Sequence, residues 1–281
     1  MKQRVITALI LAPLVIFGIF LLPLPWFMFA IAIVTLIGFW EWTQFINIEA
    51  RITAFLPAFL VSVICLYLFS SSYGIHHHHI NFYMMALLSV AVVWWCIASV
   101  LAITYPKTCA FWKHSKLLPH CFGFLTLIPF FWSIVALRTE FMDEQFYHGA
   151  KLVMYVCFIV WAADSGAYFS GRLFGRHKMA PSVSPNKTIE GLIGGIIAAM
   201  FVGYLFAGWF EITFTSMLSM LSIIFVTVVF SVLGDLVESM FKRVAGIKDS
   251  SHIIPGHGGV LDRIDSLTAA FPVFAFLYFL V

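Results

Sequence analysis

The chain has 281 residues, of which 62% are hydrophobic and only 10% charged, with a formal net charge of +3. Soluble domains run at about 45–50% apolar and about 25% charged. Too few polar side chains remain to clothe a soluble globule or to line a nucleic-acid-binding face. A soluble domain, a disordered chain and a nucleic-acid module are therefore excluded, and a polytopic membrane protein is left.

A span needs about 20 mostly apolar residues. In chain order, nine candidates are predicted, over 4–24, 26–46, 53–73, 80–105, 118–138, 151–171, 190–210, 212–234 and 263–281. The first is not read as a cleavable leader: the apolar run from Val5 to Leu24 is too long, and no small-x-small site follows it. The second carries Glu41 near its end, and the last is the shortest. Pro23, Pro25, Pro106 and Pro119 punctuate the boundaries. The run His76–His79 reads as a polar loop, with weak metal binding as the alternative. The five cysteines have no CxxC or CxC spacing and read as small apolar residues, not as disulfides or a zinc site.

Lysine and arginine placement sets the orientation. With nine spans and an inside N-terminus, 14 of these residues fall in inner segments; only Arg138 and Lys151 fall outside. The expected fold is an all-α integral membrane protein of about nine transmembrane helices, N-terminus cytoplasmic and C-terminus outside. Residues 1–140 would form five spans that shape a lipid cavity. Residues 141–281 would form the catalytic region, with cytoplasmic loops 171–190 and 235–263, into which the polar residues crowd.

Three constellations carry chemistry. In the sixth span, Asp164 lies 13 residues after Lys151, or about 20 Å of helix. An ionisable group at that depth costs at least about 2.5–3.5 kcal/mol unless paired or hydrated. It either hydrogen-bonds a neighbouring helix, snorkels to the interface, or faces a water-filled cleft. In the first loop, Lys178, Ser184, Lys187 and Thr188 offer charge and hydroxyl donors to phosphate oxygens. Thr188 can also cap the seventh helix, and an ordinary N-cap in a positive-inside loop is the plainer alternative. The following Gly191-x-x-x-Gly195 is read as helix packing.

The third constellation runs from Gly234 to Ser266. If the helix continues past Asp235, then Asp235, Ser239 and Lys242 share a face, with Glu238 and Arg243 flanking it. Asp262 and Asp265 begin the last span at i, i+3. Two helix ends thus bring carboxylates to one membrane depth, where hard oxygen ligands completed by phosphates suit Mg²⁺. Gly256, Gly258 and Gly259 let the backbone approach a ligand closely. A loop whose charges merely pair with each other is the alternative.

The pattern Ser239-Met-Phe-Lys242-Arg243, Lys248-Asp249 and His257-Gly258-Gly259-Val-Leu-Asp262-Arg263-Ile-Asp265 resembles the signature of the phosphatidate cytidylyltransferases, the CDP-diacylglycerol synthases. The stretch from Asp164 through Gly171, Lys178, Ser184, Lys187 and Thr188 to Gly191 resembles the family's upstream region, with Ser165 and Asn186 as mild departures. The resemblance implies transfer of the cytidylyl group from CTP to phosphatidic acid with Mg²⁺, giving CDP-diacylglycerol and pyrophosphate. It implies Asp235 and Asp262 as metal ligands, around one or two ions, with a monovalent cation an alternative occupant. Asp164 and Asp265 would be further or outer ligands. Lys187, Lys242, Arg243, Lys248 and Arg263 would hold the phosphates, and Ser239 and His257 would orient phosphate or a ligand. It further implies a homodimer in the plasma (inner) membrane, with the active site facing the cytoplasm and no nucleic-acid partner. A CTP-dependent, dolichol-type lipid kinase and an ion-coupled transporter are the competing readings.

Overall fold

Helix boundaries fall at Pro23 and at the caps Thr188 and Ser216, whereas Pro13, Pro129 and Pro272 lie inside helices. In this computed structural model, residues 2–46, 51–52, 55–57, 59–60, 63, 82–115, 117–142, 145 and 147–281 are described. Helices α1 (Lys2–Leu21) and α2 (Leu24–Trp42) are separated at Pro23, whose extended backbone caps α2 with Pro25 in its first turn. A 3₁₀ turn, Thr43–Phe45, ends α2. Then come α3 (Phe82–Thr104), the single turn α4 (Cys109–Trp112), α5 (Leu117–Thr139) and α6 (His148–Phe174). A hairpin of β1 (Lys178–Ala180) and β2 (Ser184–Thr188) leads into α7 (Ile189–Phe210). Helices α8 (Met217–Val244) and α9 (Leu261–Leu280) close the chain.

Among the described residues, seven helices are long and apolar enough to cross a membrane, and α1 adds a shorter apolar helix over Leu9–Leu21. They coincide with eight of the nine expected spans. The third, 53–73, lies mostly outside the described residues, as does His76–His79.

Two details differ from the sequence reading. The loop 171–190 carries the antiparallel hairpin, pairing Lys178 with Thr188 and Ala180 with Ser184, in a chain expected to be all helical. The eighth span does not stop at 234: the helix runs to Val244 because Leu236, Val237, Met240 and Phe241 remain apolar and buried beyond the polar Asp235. Its start shifts to Met217, where the Ser216 hydroxyl accepts from the Ser219 N–H at 3.1 Å.

Helices α6 and α7 approach through small residues. A Cβ added at Gly195 would stand 2.7 Å from the Ala163 carbonyl oxygen, and one at Gly166 would stand 2.8 Å from that of Gly194. Gly191-x-x-x-Gly195 is thus a packing seam. One apolar core joins both halves of the chain, from Phe39 and Trp42 of α2 through Leu127 and Tyr155 to Phe241 and Phe271. Contacts between their ends, Gly171 with Gly191 and Lys242 with Asp262, make α6 to α9 alternate in direction. The C-terminal ends of α6 and α8 therefore lie at the same end of the bundle as the N-terminal ends of α7 and α9.

Candidate active site

That shared end gathers the polar residues. On α8, Asp235 and Ser239 stand one turn apart, and the Ser239 hydroxyl donates to Asp235 Oδ1 at 3.2 Å. Asp235 Oδ2 meets Lys187 Nζ of β2 at 2.8 Å. The Lys187 ammonium also donates to the Val232 carbonyl at 3.2 Å. The hairpin is pinned a second time by Arg243 Nε, which donates to the Val183 carbonyl at 3.1 Å. One turn after Glu238, Lys242 bridges two carboxylates, Glu238 Oε1 at 3.1 Å and Asp262 Oδ1 at 2.8 Å. Glu238 is buried, and among the described residues its Oε2 has no hydrogen-bond partner.

Asp262, in the first turn of α9, is held from four directions. Oδ1 takes Lys242, and Oδ2 accepts from the Ser250 N–H at 2.8 Å, the Ser250 hydroxyl at 2.9 Å and the Gly259 N–H at 2.8 Å. Gly258 adopts φ +86°, and a Cβ there would meet Asp262 Oδ2 at 2.7 Å. A Cβ on Gly259 would stand 2.7 Å from both carboxylate oxygens of Glu41. Sequence reasoning assigns these two glycines to close approach of a ligand. The structure puts the chain's own carboxylates in that space.

Asp164 of α6 lies within electrostatic reach of Asp235, Lys187 and Arg263, and Asp265 within reach of Asp235, Lys242 and Asp164. Asp265 Oδ1 accepts from the Ser266 N–H at 2.7 Å. Thr188 is buried, its hydroxyl accepting from the Gly191 N–H at 3.1 Å as the cap of α7. Ser184 is half-buried in β2, while Lys178, Lys248, Arg243 and Arg263 are exposed. His257 is half-buried in the α8–α9 loop, and its Nδ1 has no hydrogen-bond partner among the described residues. Asp164, Asp235, Asp262 and Asp265 with Lys187, Lys242 and Arg263 thus form one charged nest. Among the described residues, Lys178, Lys248 and His257 make no hydrogen bond or ion pair with it.

The sequence profile of the cytidylyltransferase family matches residues 2–281. The chain belongs to that family. It is 46% identical to the phosphatidate cytidylyltransferase of Haemophilus influenzae, over 100% of this chain and 99% of that one. It is 41% identical to the phosphatidate cytidylyltransferase of Pseudomonas aeruginosa, over 99% of this chain and 96% of that one. A third relative, the phosphatidate cytidylyltransferase of Bacillus subtilis, is 44% identical over 48% of each chain. This cytidylyltransferase is accordingly an enzyme, a nucleotidyltransferase.

The donor set bears on the cation. A carboxylate has about four lone-pair positions. Asp235 spends two, on Lys187 and Ser239, and its side chain is 31% exposed. It keeps room for a hard cation. On Asp262, three donors crowd Oδ2, while Oδ1 carries only Lys242 and keeps a second lone pair. Among the described residues, no three His, Cys, Asp or Glu side chains are gathered so as to hold an ion by themselves. That fits Mg²⁺, which takes one or two carboxylates and fills its shell with substrate phosphates and water.

Two residues escaped the assignment of roles from sequence. Glu238, read only as flanking, is the buried partner of Lys242. Glu41, fully buried at the end of α2, reaches into the α8–α9 loop. The one signal available was a carboxylate ending an apolar span.

Proposed function

We propose that this cytidylyltransferase moves the cytidylyl group of CTP onto phosphatidic acid, releasing pyrophosphate, at the cytoplasmic membrane face with Mg²⁺. The observation that carries this reading is the nest itself: carboxylates from α6, α8 and α9 and lysines from β2 and α8 meet at one end of a membrane bundle. The names of the full-length relatives support the same substrates.

In this reaction a phosphatidate oxygen bonds to the α-phosphorus of CTP while the bond from that phosphorus to the bridging oxygen of the β-phosphate breaks. Both reactants are anions, so the site must neutralise charge before they meet. Lys187 and Lys242 each stand beside a carboxylate that fixes the ammonium in place. They and Arg263 serve the triphosphate and the lipid phosphate. A phosphate nucleophile is ionised at neutral pH, so no general base is needed and His257 has an orienting role. Mg²⁺ would be held by Asp235 and Asp262 Oδ1, with Asp164 and Asp265 as outer carboxylates, and when bound would supply charge stabilisation to the transfer. The acyl chains lie between helices, and the positive-inside bias places this end of the bundle in the cytoplasm.

The test uses purified protein in mixed micelles with phosphatidic acid, Mg²⁺ and CTP labelled at the α- or the γ-phosphate. Label from α in the lipid, with pyrophosphate released, is expected. Label from γ in an added polyprenol, with CDP released, would establish the kinase instead.

A further inference from the structure

The mechanism leaves one fully buried carboxylate unused. Glu41 ends α2, in the N-terminal half of the chain, and is 0% exposed. A carboxylate so placed is costly unless donors surround it. Four groups face it: the Ser251 hydroxyl at 2.5 Å, the Leu261 N–H at 2.6 Å and the Val260 N–H at 2.9 Å donate to it, and the Ser250 hydroxyl at 3.1 Å shares its one hydrogen between Glu41 and Asp262. All four belong to the α8–α9 loop or the first turn of α9. The residue before α9, Val260, offers no side-chain cap, so Glu41 takes the Val260 and Leu261 N–H groups from about 220 residues away, against the positive end of the helix dipole. The Ser250 hydroxyl has one hydrogen and stands between two carboxylates, 3.1 Å from Glu41 and 2.9 Å from Asp262. Gln44, one turn on, donates through Nε2 to the Ser250 carbonyl, and Thr7 of α1 to the Pro255 carbonyl at 3.2 Å.

We propose that Glu41 is a positioning residue for nucleotidyl transfer. It clamps residues 250–261 to the N-terminal helices and, through Ser250 and the start of α9, sets where Asp262 and its partner Lys242 stand. This rests on reading the α8–α9 end as the reacting site. It gives the N-terminal half a part in the chemistry beyond shaping a lipid cavity.

Glu41→Gln keeps the volume but turns an amide NH₂ towards donors, and Ser251→Ala removes one donor to Glu41 together with the acceptor of the exposed Ile253 N–H. Two readouts separate the clamp from the substrate reading. Hydrogen exchange of the full chain in detergent needs no substrate: Glu41→Gln should speed exchange in peptides covering 248–262 and leave α6 and α7 unchanged. In the transfer assay, Glu41→Gln should lower kcat at least tenfold at a temperature where its melting curve shows it folded, and Ser251→Ala should lower it less. The double variant should be no worse than Glu41→Gln alone, because both act through one joint. Unchanged exchange at 248–262, multiplying losses, or a kcat that falls only as far as the folded fraction would each overturn the clamp. Wild-type protein that transfers nothing, with Glu41→Gln still speeding exchange at 248–262, would overturn the substrate reading and leave the clamp standing.

Discussion

Asp235 and Asp262 are the two metal ligands that the resemblance implies, but they do different work in the structure. Asp235 is partly exposed with two donors; Asp262 is buried under four. Asp235→Asn should therefore fold normally and lose transfer by about 100-fold or more, the scale of removing a preorganised electrostatic group. Asp262→Asn should lose stability as well, since an amide cannot accept from four donors. Melting in detergent alongside the labelled-CTP assay separates the two, and near-normal turnover in Asp235→Asn would remove it from the ligand set. Gly259→Ala drives a methyl into the Glu41 carboxylate and should cost about 1–3 kcal/mol, read as a lowered melting temperature. The carboxylates, lysines and glycines of the site were all legible as residue types. Which donor met which carboxylate was not, because Ser250 and Glu41 are 209 positions apart.

At the scale of elements, caps and packing seams carried more of the sequence's information than the boundaries of apolar runs did. Thr188 before an apolar run gave the cap of α7, and the Gly191–Gly195 spacing gave the α6–α7 seam. Thr188→Ala should destabilise by about 1 kcal/mol, with Thr188→Ser close to wild type. Gly195→Val should cost about 1–3 kcal/mol, because its Cβ has the Ala163 carbonyl at 2.7 Å; thermal unfolding of the detergent-solubilised protein checks both. The hairpin was missed because three- and five-residue strands leave no periodicity long enough to read. The extension of α8 was missed because hydropathy falls at Asp235, whereas the helix continues as long as its apolar face stays buried.

For the whole molecule, the charge bias predicts a topology that chemistry at the site requires. With CTP as the proposed nucleotide, the end bearing β1, β2 and the α8–α9 loop is expected to face the cytoplasm. Cysteines placed at Lys178 and Val281, in a chain whose native cysteines are replaced, should be labelled by an impermeant maleimide from opposite sides. Lys178→Cys should react from the cytoplasmic side. Labelling of both from one side would mean an even number of spans between Lys178 and Val281, against the three that α7, α8 and α9 supply.

The sequence by itself determined the class of the molecule, most of its helices and the residues that carry charge to the membrane boundary. These follow from composition, from 20-residue apolar runs and from motifs, all of which are local. Tertiary structure decided the pairing of Lys242 with Glu238 and Asp262, the anchoring of the hairpin to α8, and the burial of Glu41 at the start of α9. Each of these joins elements whose separation along the chain carries no periodic signal. Their geometry exists only once the helices pack and buried polar groups must find partners.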